Sequence, residues 1–361
     1  MTGKKFNQSF RIILAVAAKD IVEALKNRIL LTIIIGVLIL MLTGPALSLL
    51  VNRNQPMLVI LDLSGLGDYQ SLEQRTDMQL VVVDSAEEME SYILQPPQTI
   101  IGVVMLSSVA ASPSDETILD GYTAHWVSQR HMQERVVFFE SVLSEASGKT
   151  IRIDMDNHQL YPSLDDSYLF TMIAISLTIL ILLVGLALVP YLFIEEKENH
   201  TMDALLVSPA HFWQLVTGKL MAGSVYCLIA AGIVLLFNYR IVVTWELLVP
   251  TVLLATAFAV ALGLLMGMLF ENSASMGLWT SLLTIFLLVP PLLQTVGSEK
   301  IPAAIQTFFS ILPSSIIFKL VTLSMLGEVP VEPIWQGMLL LVGFTLVLCV
   351  LVVWRIRRMD R

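Results

Sequence analysis

Residues 168–194 read YLFTMIAISLTILILLVGLALVPYLFI, and Glu195-Glu196-Lys197-Glu198 follow at once. A helix needs about 20 mainly apolar residues to cross the hydrocarbon core of a bilayer. Tyr168–Ile194 meets that need without one Asp, Glu, Lys or Arg, and its charges begin where the membrane would end. Five further segments share the pattern: Ile29–Val51, Leu220–Tyr239, Leu247–Phe270, Ser275–Val296 and Ile334–Trp354. A seventh apolar stretch, Ala303–Leu326, is interrupted by Lys319 and by Pro313 with two serines after it. An unpaired lysine in lipid costs several kcal/mol, and a mid-helix proline frees a carbonyl. That stretch therefore reads as two short helices dipping into one interface. The expected fold is an α-helical polytopic membrane protein with six transmembrane helices.

Composition agrees. The 361-residue chain is 56% hydrophobic and 14% charged, against about 45–50% and about 25% in ordinary soluble domains. Mean hydropathy is +0.77. A wholly soluble enzyme, a disordered chain and a disulfide scaffold are excluded, the last by a total of two cysteines. The 23 residues of Ile29–Val51 exceed the core of a secretory signal, and 28 residues precede them, so this segment reads as an uncleaved anchor.

The distribution of Lys and Arg orients the chain. With the N-terminus inside, cytoplasmic segments hold 12 of the 21 basic residues and eight of the 30 acidic ones, a balance of +4. The outside then carries −13, which completes the net charge of −9. Lys4, Lys5 and Arg11 at one end and Arg355, Arg357 and Arg358 at the other place both termini in the cytoplasm of a multi-pass cell-membrane protein. Residues 355–361 are a basic tail.

Residues 52–167 form one insert between the first and second spans. Met57–Leu61, Leu80–Val83, Ile100–Met105 and Ile151–Ile153 read as strands, with helical patterns over Ser85–Leu94 and Val127–Ala146. The alternation predicts a small α/β extracytoplasmic domain. It holds 18 acidic and six basic residues and no cysteine, so the acidity of the chain describes this insert and not the membrane-facing parts. Nucleic acid is not an expected partner; membrane lipid is. Residues 1–28 form an amphipathic interfacial helix, with Phe6, Phe10, Ile13, Ala17, Ile21 and Leu25 at helical spacing and Lys4, Lys5, Arg11, Lys19 and Lys26 interspersed. Such a helix lies in the headgroup plane, as an anchor or as a mechanical part.

The loop after the second span carries the most information. In Glu195–Pro209, Asn199 or Thr201 can cap a helix and Asp203 favours its first turn. Met202, Leu205 and Leu206 make an apolar face, and Pro209 ends the helix. Phe212, Leu215 and Val216 begin a second amphipathic turn that reaches Lys219 at the membrane boundary. A short helix with an apolar knob between two spans suits either docking in a partner's groove or an interfacial link.

This stretch resembles the signature loop of ABC-2-type permeases, the membrane subunits of ATP-binding-cassette exporters. That pattern runs from an acidic-basic cluster through Gly-Thr, a hydrophobic residue, Glu, Leu-Leu, Ser/Thr-Pro and Gly-Lys. Here the matching residues are Glu195, Glu196 and Glu198 around Lys197, then Thr201, Met202, Asp203, Leu205-Leu206, Ser208-Pro209 and Gly218-Lys219. His200 replaces the usual glycine and Asp203 the usual glutamate. The resemblance extends to the N-terminal helix, the large insert, the six spans and the broken apolar stretch. It implies that 199–219 is a coupling helix contacting an ATPase, and that 301–326 is an external re-entrant hairpin. It also implies that the chain is no enzyme and holds no cofactor. ATP and Mg would sit on a separate ABC ATPase subunit, beside a second permease copy or a similar permease in a homo- or heterodimer. The alternative is a relay that passes ATPase motion to the insert without cargo.

Other patterns carry less. Ser147-Gly148-Lys149-Thr150 mimics a phosphate-binding loop, but the earlier glycine would fall on Leu143. His125, His131, His158, His200 and His211 lack metal-ligand spacing and read as solvated surface. Cys227 and Cys349 read as packing residues within spans. Ala255, Ala259, Gly263 and Gly267 form a small-residue stripe that lets a helix approach closely, either within the chain or across a dimer. The spans lack the interior carboxylates and bases that ion-coupled carriers and proton pumps generally need, so energy is expected from the cytoplasmic side. Thr171, Ser176, Ser224, Asn238, Thr280 and Thr284 are the sparse polar groups of a path suited to amphipathic cargo.

Overall fold

The computed structural model describes residues 2–25, 32, 35, 36, 39, 56–62, 70–94, 100–105, 116–155, 159–162, 168–198, 212–296, 302–327 and 331–359. Two compact units emerge: a helical one of Met1–Met41, Thr171–Ser324 and Val329–Arg361, and one with a sheet, of Leu42–Phe170 and Met325–Glu328.

The sheet follows the order β2-β1-β3-β4-β5, from β1 (Met57–Asp62), β2 (Gln79–Val83), β3 (Ile100–Met105), β4 (Glu116–Ala124) and β5 (Thr150–Asp154), with β6 (Gln159–Leu160) pairing on β4. β1 is parallel to β2 and β3, β4 runs antiparallel to β3, and β5 is parallel to β4. The apolar run of β1 is explained by cover on both faces. Leu58 and Ile60 join Ile101, Val103, Leu119 and Phe139 in one core. Val59 and Leu61 join Val83, Met89, Ile93 and Ile100 in the other. Alternate residues of a strand point to opposite faces, so one continuous hydrophobic strand serves both cores.

Helices α1 (Thr2–Leu25) and α2 (Gln70–Glu73) precede α3 (Ala86–Ile93) and α4 (Gln129–Ser147). Ser85 caps α3 through the Glu88 amide, and Ser128 caps α4 through that of His131. β4 had no counterpart in the sequence reading: its Asp120, Gly121 and mixed polarity hide the alternation. The sheet unit also takes in the short stretch Met325–Glu328. There Gly327 lies so close to the Tyr161 side chain that a Cβ would overlap it.

Five described helices are long and apolar enough to span a membrane: Phe170–Glu198, Trp213–Asn238, Trp245–Leu269, Ser273–Gln294 and Val331–Arg358. The protein is a mainly helical, multi-pass membrane protein. Ile29–Val51 lies outside the described residues except Thr32, Ile35, Gly36 and Ile39, all helical. The first of the five is built from α5 (Tyr168–Leu183), a π-helical turn over Val184–Leu188, and α6 (Val189–Glu198). Pro190 gives the π-turn its physical reason. It lacks an N–H, and its ring would clash with the carbonyl four residues earlier.

Then come α7 (Phe212–Asn238), α8 (Trp245–Leu269), α9 (Ser273–Val296), α10 (Ala303–Ile311), α11 (Pro313–Leu323) and α12 (Val331–Met359). α10 and α11 meet at 81°. Leu312 is extended and Pro313 opens α11, as expected of a residue before proline and of proline at a helix start. α11 is buried apart from Lys319, which is exposed, and Thr322, which is half-buried, and α10 has no buried residue. The pair counts as a broken span or a re-entrant loop.

Burial identifies the centre of the helical unit. Of an 18-residue apolar stretch within Phe170–Glu198, 78% is buried, against only 17% for that of Val331–Arg358. The stripe Ala255, Ala259, Gly263 and Gly267 packs within the chain. A Cβ on Gly185 would lie 2.6 Å from that of Ala259, and one on Gly267 would lie 2.8 Å from that of Phe193. α8 therefore crosses the π-turn and α6 at near-backbone contact.

Candidate functional site

The acidic-basic run that closes α6 is a junction. Glu195 is exposed, and each of the next three residues reaches a different part of the helical unit. Glu196 is buried and meets Lys219 of α7 at 2.9 Å and Lys19 of α1 at 3.2 Å. Lys219 is fully buried. It donates to the Leu192 carbonyl at 2.9 Å, pairs with Asp20 at 3.4 Å and lies 5.4 Å from the Phe193 ring centroid. Lys19, Asp20, Glu196 and Lys219 sum to zero charge. Neutrality matters because an uncompensated buried charge costs several kcal/mol. Burial pushes the Asp20 carboxyl above its ordinary range, while the Lys219 ammonium pulls it back.

This cluster seats α1. Ile13, Ala17 and Asp20 form its buried face, while Phe10 is 48% exposed. A Cβ on Gly218 would lie 2.7 Å from Val16, and the Tyr226 hydroxyl donates to the Ile21 carbonyl. The helix thus packs on α7 along a face turned from Phe10 toward Asp20. Sequence reasoning took Phe10 as part of the apolar face and left Asp20 and Lys19 out of the site. The available signal was the i, i+4, i+7 spacing of Ile13, Ala17 and Asp20, an acid on an apolar stripe that needs a cation.

Lys197 was quoted in the run but given no role. Its ammonium donates to the Gly267 carbonyl at 2.9 Å and to that of Phe270 at 2.7 Å, at the end of α8. Glu198 accepts from the Ser273 amide at 2.7 Å, at the start of α9. Arg355 of α12 reaches the Met268 carbonyl at 3.5 Å. Four helices therefore meet at the last turn of α6. Thr201, Met202, Asp203, Leu205, Leu206 and Pro209 lie outside the described residues.

The remaining candidates resolve as structure. Gly148 is the left-handed cap of α4, with φ 68°, and its N–H donates to the Ser144 carbonyl; Ser147–Thr150 is a helix ending in a strand. His125 differs from the solvated reading. It is half-buried, stacks on Tyr161 at 5.0 Å and meets Trp126 edge-on, while Trp126 meets Phe170. His131 is exposed and bonds Ser128; His158, His200 and His211 lie outside the described residues. Cys227 is buried and Cys349 exposed, so only the first packs inside this chain. Ser176 and Asn238 bond carbonyls four residues earlier in their own helices. Their polarity is consumed locally. No cluster able to hold a metal occurs among the described residues.

The fold and junction define a polytopic helical membrane protein whose helix ends converge on one acidic-basic run. The sequence profile of the ABC-2 family transporter proteins matches residues 28–354. The chain belongs to that family and is the membrane, permease component of an ABC transporter. No curated protein matches the chain.

Proposed function

We propose that this chain is the permease subunit of an ABC exporter, driven by a separate ATPase and paired with a second copy or a similar permease. The convergence of Glu196, Lys197 and Glu198 on α1, α7, α8 and α9 carries this reading. A push on the segment after Glu198 has direct polar routes into most of the helical unit. Residues 199–219 are the coupling segment, and Leu205 and Leu206 are the apolar knob that enters the ATPase. The charge distribution supports cytoplasmic termini in the cell membrane, six spans beginning with Ile29–Val51, and the sheet unit outside. With that orientation, α10 and α11 form an external re-entrant hairpin, since helices of 9 and 11 residues that bend by 81° are each too short to cross the bilayer.

Replacing Leu205 and Leu206 with Asp tests the coupling segment. The double variant inserts normally and no longer co-purifies an ATPase. Unchanged co-purification sinks the assignment.

A further inference from the structure

Lys197 and Glu198 are neighbours that serve two helix ends of opposite polarity. The last carbonyls of α8 and the first amides of α9 lack partners within their own helices. A cation suits the former and a carboxylate the latter. The three bonds, at 2.9, 2.7 and 2.7 Å, lie in the short range of charge-assisted hydrogen bonds. They are not needed as caps alone. Asn272 already caps α9 from within, accepting from the Ser275 amide at 2.8 Å. Glu198 nonetheless reaches Ser273 from 75 positions away. The two residues hold the turn at both sides: Lys197 takes carbonyls before it, Glu198 an amide after it. One bond would leave a pivot, whereas anchors on either side resist rotation as well as sliding.

We propose that Lys197 and Glu198 are positioning residues that fasten the α8–α9 turn to the end of α6, so that the turn moves with α6. This rests on the coupling role proposed above. It adds a direct route to α8 and α9 that bypasses α7. The small-residue crossing of α8 on α6, through Gly263 and Gly267, keeps the two helices close enough for that route.

The test uses the full-length chain in lipid nanodiscs, with Glu198→Ala, Lys197→Met, the double variant and Lys197→Arg. Glu198 is exposed and α9 keeps its Asn272 cap, so Glu198→Ala retains the fold. Hydrogen exchange of amides 270–276 should quicken about tenfold in the double variant, because the Ser273 amide loses its charged acceptor, and stay near wild type in Lys197→Arg. Spin labels at Glu195→Cys and Ala274→Cys, in a Cys227→Ala/Cys349→Ala background, should give a narrow distance distribution. The distribution should broaden in the double variant while the melting temperature of the helical unit holds, and should narrow again with Arg at 197. Unchanged exchange and an unchanged distribution in the double variant overturn the proposal. Neither readout involves an ATPase, so this result is independent of whether the Leu205/Leu206 variant loses one.

Discussion

Gly263 of α8 approaches Gly185 of the π-turn so closely that a Cβ on Gly263 would run into the Gly185 carbonyl oxygen. Backbone meets backbone there, and neither side has a flexible atom to yield. The Gly185 end belongs to the turn that accommodates Pro190, whose Cδ would lie 3.2 Å from the same Cβ.

Gly263→Leu should therefore disrupt assembly of the helical unit. Overpacking a tight contact costs about 1–3 kcal/mol, and more where backbone must shift. Gly277→Ala is the control: its Cβ meets nothing within 4 Å, and an alanine favours a helix by up to about 1 kcal/mol. Thermal unfolding in detergent should show a fall for the first and no fall for the second.

Lys219→Met should be among the most damaging changes to a single side chain. It leaves Asp20 and Glu196 buried without their shared cation, a loss of about 3–5 kcal/mol. The triple variant Asp20→Asn/Glu196→Gln/Lys219→Met removes the three buried charges, leaves only the half-exposed Lys19, and should recover much of the loss. A triple variant no more stable than Lys219→Met would show that charge balance is not what seats α1.

The sheet unit should weaken in acid through Arg75. Its guanidinium bonds Asp77 at 3.0 Å and Glu145 at 2.9 Å, and holds the Asp77 carboxyl below its ordinary value. A folded value below the unfolded one means stability that is present above the ordinary carboxylate range and lost as pH falls through the depressed value. Arg75→Met should flatten that part of the stability profile, read from the unfolding of the sheet unit between neutral pH and acid. Both partners are substantially exposed, so the effect is small and screened by salt.

Gly148→Ala should destabilise α4 by about 1 kcal/mol, because an L side chain is disfavoured in the left-handed region that ends the helix. Lys149→Ala should leave nucleotide binding where it was, at background. A phosphate-binding loop would show the reverse emphasis, with nucleotide binding lost on removing the lysine. Chemical denaturation with a nucleotide-binding measurement separates the two.

The polytopic helical class was legible because hydrophobic length is a local property. Each apolar run is read on its own, and Lys319 together with Pro313 and its two serines announces the break that became the 81° bend. β1, β2 and β3 were legible for the same reason, as short apolar runs between turn residues. β4 was not: its place beside β3 and β5 is set by cover from neighbours and hardly by its own pattern. His125 likewise looked like a surface residue until β6 and the residues after it brought Tyr161 against its ring.

At the junction the division is sharpest. Sequence alone determined that an acidic-basic run closes the Tyr168–Ile194 segment, that Thr201, Leu205-Leu206 and Ser208-Pro209 follow it in the chain, and that small residues line α8. It could not say that Glu196 faces Lys219 and Lys19, that Lys197 binds the end of α8, or that Glu198 binds the start of α9. Those partners stand 23 and 177, 70 and 73, and 75 positions away. Charge and hydrogen bonding act over a few ångströms of space, without regard to distance along the chain. Only tertiary packing, with α8 crossing α6 at near-backbone contact and α1 docked on α7, brings such residues within that reach.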